Sequence, residues 1–165
     1  MSALTTRRRV EFRDTDAAGI VHFSAFFLWM ESAEHELLRQ AGIRVVERSE
    51  SVEGGSAPGE VVPGEVVSWP RVSVSCDYLA AVRFGDEVDI AVTVTDIGRT
   101  SVTYAFAFSA AGRPVATGQV VAVRCRMQQD QLQEGRRPEP VPIPAGIRAR
   151  LQAFSAEAGP DAGRA

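Results

Sequence analysis

The chain has 165 residues, 45% of them hydrophobic and 24% charged, with a formal net charge of -3. That length builds one domain with a sizeable core and leaves no room for a second full domain, and the acidic balance excludes general nucleic-acid binding. All 18 basic side chains are arginine, which excludes Schiff-base chemistry and a P-loop lysine and leaves the guanidinium as the only cationic grip on phosphate.

The N-terminus, MSALTTRRR, carries basic residues with no apolar stretch behind them, so no signal peptide is expected. No apolar run approaches a membrane span. A cytoplasmic protein with no membrane partner is the expectation. From Arg7 to Arg13 the pattern alternates, with Val10 and Phe12 on one face, which predicts a half-buried strand. The run Arg7-Arg8-Arg9 reads as a solvated strand edge before it reads as an anion site. Next comes Asp14-Thr15-Asp16-Ala17-Ala18-Gly19-Ile20-Val21, an acidic, glycine-containing turn.

A long amphipathic helix is predicted over Ser24–Ala41, stopped by Gly42. Phe27, Met30, Ala33 (or Glu34), Leu37 and Leu38 mark its core face; Glu31, Glu34, Glu36 and Arg39 read as the wet side. Phe23, Phe26, Phe27 and Trp29 predict a deeply buried helix start. From Val45 to Pro70, Gly-Gly and Pro-Gly pairs dissolve the pattern into a long loop, expected to be a flap near the site. Four alternating strands follow: Val72 to Tyr78, Val88 to Val94, Val102 to Phe108, and Val115, Thr117, Gln119, Val121, Val123 and Cys125 on one face of the last. The connections between them have hairpin chemistry. Strand, helix and meander together predict an α+β domain, one long helix against a curved antiparallel sheet. The domain is expected over residues 1–127. Residues 128–165, with Pro138, Pro140, Pro142, Pro144 and Pro160, read as a proline-rich tail with a short helix over Ala145–Glu157. Two cysteines, Cys76 and Cys125, make neither a disulfide framework nor a zinc site and read as buried fillers.

The stretch Val10-Glu11-Phe12-x-Asp14-x-Asp16-x-Ala18-Gly19-Ile20-Val21, followed by an aromatic-rich helix start, resembles the 4-hydroxybenzoyl-CoA thioesterase family of hot-dog proteins. The likeness continues more weakly through Phe84-Gly85-Asp86-Glu87-Val88 and Gly98-Arg99-Thr100-Ser101, covering about residues 6–126. It implies a hot-dog fold, hydrolysis of acyl-CoA thioesters to free acid and CoA, and dimers joined sheet edge to sheet edge with sites at the interface. By the same resemblance Asp16 is the catalytic carboxylate, as nucleophile or general base, and the backbone amide of Phe23 polarises the thioester carbonyl. Substrate contacts are expected from Gly19, His22, Phe26 and Arg99, the last toward the nucleotide phosphates of CoA. Elementary chemistry agrees: the first turn of a helix presents unsatisfied N–H groups and the positive end of the macrodipole to a developing oxyanion.

Each residue has a plainer reading. Asp14 reads first as a turn and cap carboxylate. His22 reads as an aromatic-like filler, His35 as a helix-face residue, and Arg99 equally as a solvated turn residue. No H-E-x-x-H spacing exists, so no metal is expected; no cofactor is expected either, coenzyme A being part of the substrate. The chain departs from the family pattern at Ala17, where proline is frequent, and at Ser24-Ala25-Phe26, where Pro-Asn-Tyr is common. Phe26 thus replaces a tyrosine hydroxyl, which leaves the acyl group open. Acyl carrier protein remains an alternative to CoA as carrier, and a homodimer or homotetramer is expected. Two other functions remain in play: a non-catalytic acyl-thioester-binding hot-dog domain, and a hot-dog hydratase or dehydratase.

Overall fold

The computed structural model describes residues 3–48, 65–128 and 137–155. Strand β1 (Leu4–Arg9) leads through a single 3-10 turn (Phe12–Asp14) to helix α1 (Phe23–Gln40). Then follow β2 (Val46–Arg48), β3 (Glu65–Ser68), β4 (Arg71–Tyr78), β5 (Glu87–Ile97), β6 (Ser101–Ala110), β7 (Arg113–Val123), β8 (Cys125–Gln128), β9 (Glu139–Pro140) and helix α2 (Ala145–Gln152). A five-stranded antiparallel sheet has the order β1-β5-β6-β7-β4, and a four-stranded one the order β2-β3-β8-β9. The second sheet continues the first, since β3 enters β4 across Trp69-Pro70 and β7 enters β8 across Arg124.

Alternation on β5 and β6 drives the wrap. Val88, Ile90, Val92 and Val94 on β5 and Val102, Tyr104, Phe106 and Phe108 on β6 are all buried, facing the helix. Helix α1 buries Ala25, Phe26, Trp29, Met30, Ala33, Leu37 and Leu38 on one stripe. Gly42, with φ of +65°, supplies the left-handed residue that ends it.

Five sequence expectations change. Phe12 is 81% exposed, although Val10 is fully buried. The strand gives way to the 3-10 turn, where Asp14 Oδ2 accepts from the Glu11 amide at 2.9 Å, and the period-two pattern ends there. On β7 Val115 is buried, but after a register shift between Phe108 and Ser109 the helix side is taken by Ala116, Gly118, Val120 and Ala122 rather than by Thr117, Gln119, Val121 and Val123. Small residues are required there, because a Cβ on Gly118 would run into Met30 Sδ. Glu34 lies wholly inside rather than on the wet side, paired with Arg71 at 3.0 Å. At the helix start Phe26 and Trp29 are buried but Phe23 is 59% exposed. The expected loop contains β2 and β3 at its two ends; its stretch 49–64, and with it most of the expected flap, lies outside the described residues.

The boundary expected at residue 127 does not separate two units of core. Ile143, Ile147 and Leu151 belong to the same buried cluster as α1. Arg148 donates to the carbonyls of Ile97 at 2.8 Å and Gly98 at 2.7 Å. Arg150 reaches the Gly42 carbonyl at 2.6 Å.

Candidate active site

The acidic turn is closed on itself before it meets the helix. Thr15 bridges Val21, and Ile20 bridges Arg83. The Asp16 amide donates to the Ile20 carbonyl at 2.8 Å, and the Gly19 amide to the Asp16 carbonyl at 3.0 Å. Gly19 has φ of +74° and open space where a Cβ would stand, so it serves the turn rather than a close approach. Asp16 uses one carboxylate oxygen locally: Oδ1 accepts from the amides of Ala18 at 2.8 Å and Ile20 at 3.4 Å. Oδ2 has no partner among the described residues. Asp14 is committed to the scaffold, its side chain holding the Glu11 amide and its carbonyl taking the His22 amide at 2.7 Å.

A cleft of about 360 Å³ opens beside this turn, with Asp16 at its edge. Ile20, Val21 and Val82 line one side, Tyr78, Leu79, Ala80 and Ala81 the other, and Phe23 and Phe26 come from the helix. Phe26 is a core residue that also forms cleft wall, packed edge-on against Tyr78 with centroids 5.2 Å apart. The amide of Phe23, first in the helix, meets no acceptor among the described residues, as the geometry of a helix start dictates. Asp16 and the first residue of the helix therefore line one largely apolar cleft.

Tyr78 escaped the sequence reading. Its hydroxyl donates to the Phe23 carbonyl at 2.9 Å, and burial pushes its pKa up to about 12, which keeps it protonated as a donor. A hydroxyl thus reaches the helix start from β4, although the helix itself carries phenylalanine there. The signal was present: Val74, Cys76 and Tyr78 share one face of the strand, and Tyr78 is the last of them.

His22 caps the helix. Its Nδ1 lies 2.7 Å from Ser24 Oγ and accepts from the Ser24 amide at 3.3 Å, while its ring stacks on Phe23 at 4.4 Å. It lies outside the cleft lining and makes no bond to Asp16. Arg99 sits exposed in the hairpin between β5 and β6, where its carbonyl takes the Ile143 amide at 2.9 Å. The length of β5 separates it from the turn, roughly 35 Å for an extended strand of that size. No group of three or more His, Cys, Asp or Glu among the described residues is arranged to hold a metal ion. No helix there is long and apolar enough to cross a membrane.

A sequence profile of the thioesterase-like superfamily matches residues 10–151. The chain belongs to that superfamily, and its fold is the hot-dog fold. Among curated relatives, a 1,4-dihydroxy-2-naphthoyl-CoA hydrolase from Synechococcus sp. (strain RCC307) is 33% identical over 146 residues, 87% of this chain and 97% of the relative. A protein of the same name from Prochlorococcus marinus (strain MIT 9303) is 37% identical over 83 residues, covering 50% of this chain and 51% of the relative. A solved gentisyl-coenzyme A thioesterase superposes with a TM-score of 0.67 at 23% identity, covering 90% of this chain and 99% of the other. The dynemicin thioesterase superposes at 0.69 with 19% identity, covering 94% and 99%.

Proposed function

We propose that this thioester hydrolase cleaves an aryl acyl-CoA to free acid and CoA, with Asp16 reacting through Oδ2 and the Phe23 amide polarising the carbonyl. One observation carries the reading: Asp16, with one carboxylate oxygen unpartnered among the described residues, and Phe23, the first residue of α1, line the same cleft. As a nucleophile, Oδ2 attacks the thioester carbon, the C–S bond breaks, CoA leaves as a thiolate that takes a proton, and water then hydrolyses the mixed anhydride. As a general base, Oδ2 takes a proton from a water whose oxygen attacks the carbon, and that proton passes to the departing sulfur. In both routes negative charge develops on the carbonyl oxygen, where a fixed helix-start donor acts most strongly. Oδ1 holds the carboxylate still while Oδ2 reacts.

The walls of Ile20, Val21, Phe26, Leu79 and Val82 suit a flat apolar acyl group, and the names of the curated relatives favour an aryl group carried on CoA. A homodimer joined along β4 accounts for Arg99, because an antiparallel partner strand would bring the hairpin end of its own sheet toward this cleft. The local hydrogen bonds of Asp16 are what a non-catalytic binding domain would also show, so hydrolysis itself decides. A panel of aryl, short-chain and medium-chain acyl-CoAs, with one acyl-carrier-protein thioester, is assayed with wild type and Asp16→Asn. The expected result is hydrolysis of an aryl-CoA by wild type and a loss of at least about a hundredfold in the variant. Full turnover by Asp16→Asn overturns the mechanism; no cleavage of any thioester by wild type favours the binding domain.

A further inference from the structure

The hairpin that joins β5 to β6 is tight. The Gly98 amide donates to the Ser101 carbonyl at 2.9 Å, and a Cβ on Gly98 would stand 2.6 Å from Ser101 Oγ. Four successive carbonyls of this hairpin are each held by a donor from elsewhere in the chain. Arg148 Nη1 donates to the Ile97 carbonyl at 2.8 Å, and Arg148 Nη2 to the Gly98 carbonyl at 2.7 Å. The Ile143 amide donates to the Arg99 carbonyl at 2.9 Å, and the Arg124 amide to the Thr100 carbonyl at 2.7 Å. Arg148 stands on α2, whose Ile147 and Leu151 are buried in the core, so the helix cannot shift to relax the contact without unpacking. A planar fork on a fixed helix thus clamps two adjacent peptide units.

In a planar trans peptide the N–H points away from the C=O. With the carbonyls of Gly98 and Arg99 turned onto Arg148 and Ile143, the amides of Arg99 and Thr100 turn outward, and neither meets an acceptor among the described residues. The Arg99 side chain is exposed beside them and makes no ion pair there. The tip therefore offers two N–H groups and one guanidinium on a face whose carbonyls are turned away, which suits an anion. Register puts this tip at the Arg71 end of the sheet, since Ser101 pairs with Val123 and Arg71 with Ala122. In a dimer paired along β4, that end of one chain lies toward the cleft end of the other.

We propose that Arg148 is a positioning residue for the carrier end of the substrate: through the carbonyls of Ile97 and Gly98 it holds the hairpin tip in the conformation that turns the Arg99 guanidinium and the two amides toward a nucleotide phosphate of CoA. This rests on the CoA-thioesterase reading of the cleft. Arg148 itself touches no substrate. The C-terminal segment thereby takes part in substrate recognition from outside the cleft. Because the tip meets the carrier and not the reacting carbon, its loosening weakens binding and spares the chemical step.

The test sets an aryl-CoA against the same aryl group on pantetheine, which keeps the thioester and lacks the nucleotide phosphates. In Arg148→Met, KM for the aryl-CoA is expected to rise about tenfold at unchanged kcat, while both constants for the aryl-pantetheine stay within about twofold of wild type. Arg148→Gln, which keeps one donor for a carbonyl, should shift KM in the same direction and serves if the methionine variant does not fold. Combining Arg148→Met with Arg99→Met should lose less than the product of the two separate losses, because the anchor acts through the tip. Arg150→Met removes a guanidinium from the same helix without touching the hairpin, and should leave the CoA-to-pantetheine ratio unchanged. An equal loss on both substrates, an unchanged KM for the aryl-CoA, multiplicative losses in the double variant, or the same shift in Arg150→Met overturns the proposal. Calorimetry with free CoA reads the anchor without hydrolysis, and its Kd should rise about tenfold in Arg148→Met. If wild type cleaves no thioester while that rise is seen, the thioesterase reading alone fails. If hydrolysis stands and CoA affinity does not respond, this proposal alone fails.

Discussion

Asp16 divides its carboxylate between holding the turn and facing the cleft, and that division makes it separable by mutation. Asparagine keeps an oxygen for the amides of Ala18 and Ile20, so Asp16→Asn is expected to unfold within about 0.5 kcal/mol of wild type in urea while losing activity. Alanine removes the turn acceptor as well, and Asp16→Ala should lose a further ~1 kcal/mol. Asp14→Ala should resemble the latter in stability, because its side chain holds only the Glu11 amide. His35 adds a pH signature. Its folded pKa lies below the unfolded value, so the neutral ring stabilises the fold above the ordinary histidine pKa, and that contribution is lost as pH falls through the depressed one. Melting curves between about pH 7 and about pH 5 should show wild type losing more stability than His35→Gln; parallel curves would remove His35 from the account.

Elements meet where side chains are small. α1 approaches β7 at Gly118, where an added methyl would collide with Met30 Sδ and stand 3.2 Å from the Ser75 carbonyl. Gly118→Ala is expected to cost about 1–3 kcal/mol in urea unfolding, as overpacking does. At the other end of the domain, Leu151 of α2 is fully buried and Arg148 fixes the β5–β6 hairpin through two carbonyls. Leu151→Ala should cost about 2–5 kcal/mol, with the folded fraction keeping its turnover per site. Such contacts also explain what was legible beforehand. α1 and the β5–β6 hairpin were readable because a clean 3.6 or 2 period coincided with turn residues. β7 was not, since apolar residues fill both of its parities and only the helix opposite selects Ala116, Gly118 and Ala122. The C-terminal segment hid its role because Val141 and Ile143 alternate with prolines and the helix after them is too short, with only Ile147 and Leu151 on its buried side, to announce a core contact. Within the candidate site, Asp16 and the Phe23 amide fall in one short stretch of the chain and could be paired by motif. Tyr78 and Arg71 reach α1 from a strand far along the sequence; the alternation of that strand gives the face of Tyr78 but not its partner.

Across the described residues, the sheet curls around α1 on one side and leaves the outer edge of β4 without a partner strand. The two ends of that strand are tied to the same helix, Tyr78 to its first carbonyl and Arg71 to Glu34 in its middle. In the proposed dimer, pairing along this strand would therefore also hold the helix start beside Asp16. In that dimer association and catalysis would be thermodynamically linked, and mass action would make turnover depend on protein concentration. On serial dilution, turnover per subunit should decline with the dimer population while far-UV dichroism stays constant, and the midpoint of that decline should rise in Tyr78→Phe. The hydroxyl of one tyrosine on the rim of the sheet would thus set the abundance below which the protein ceases to work.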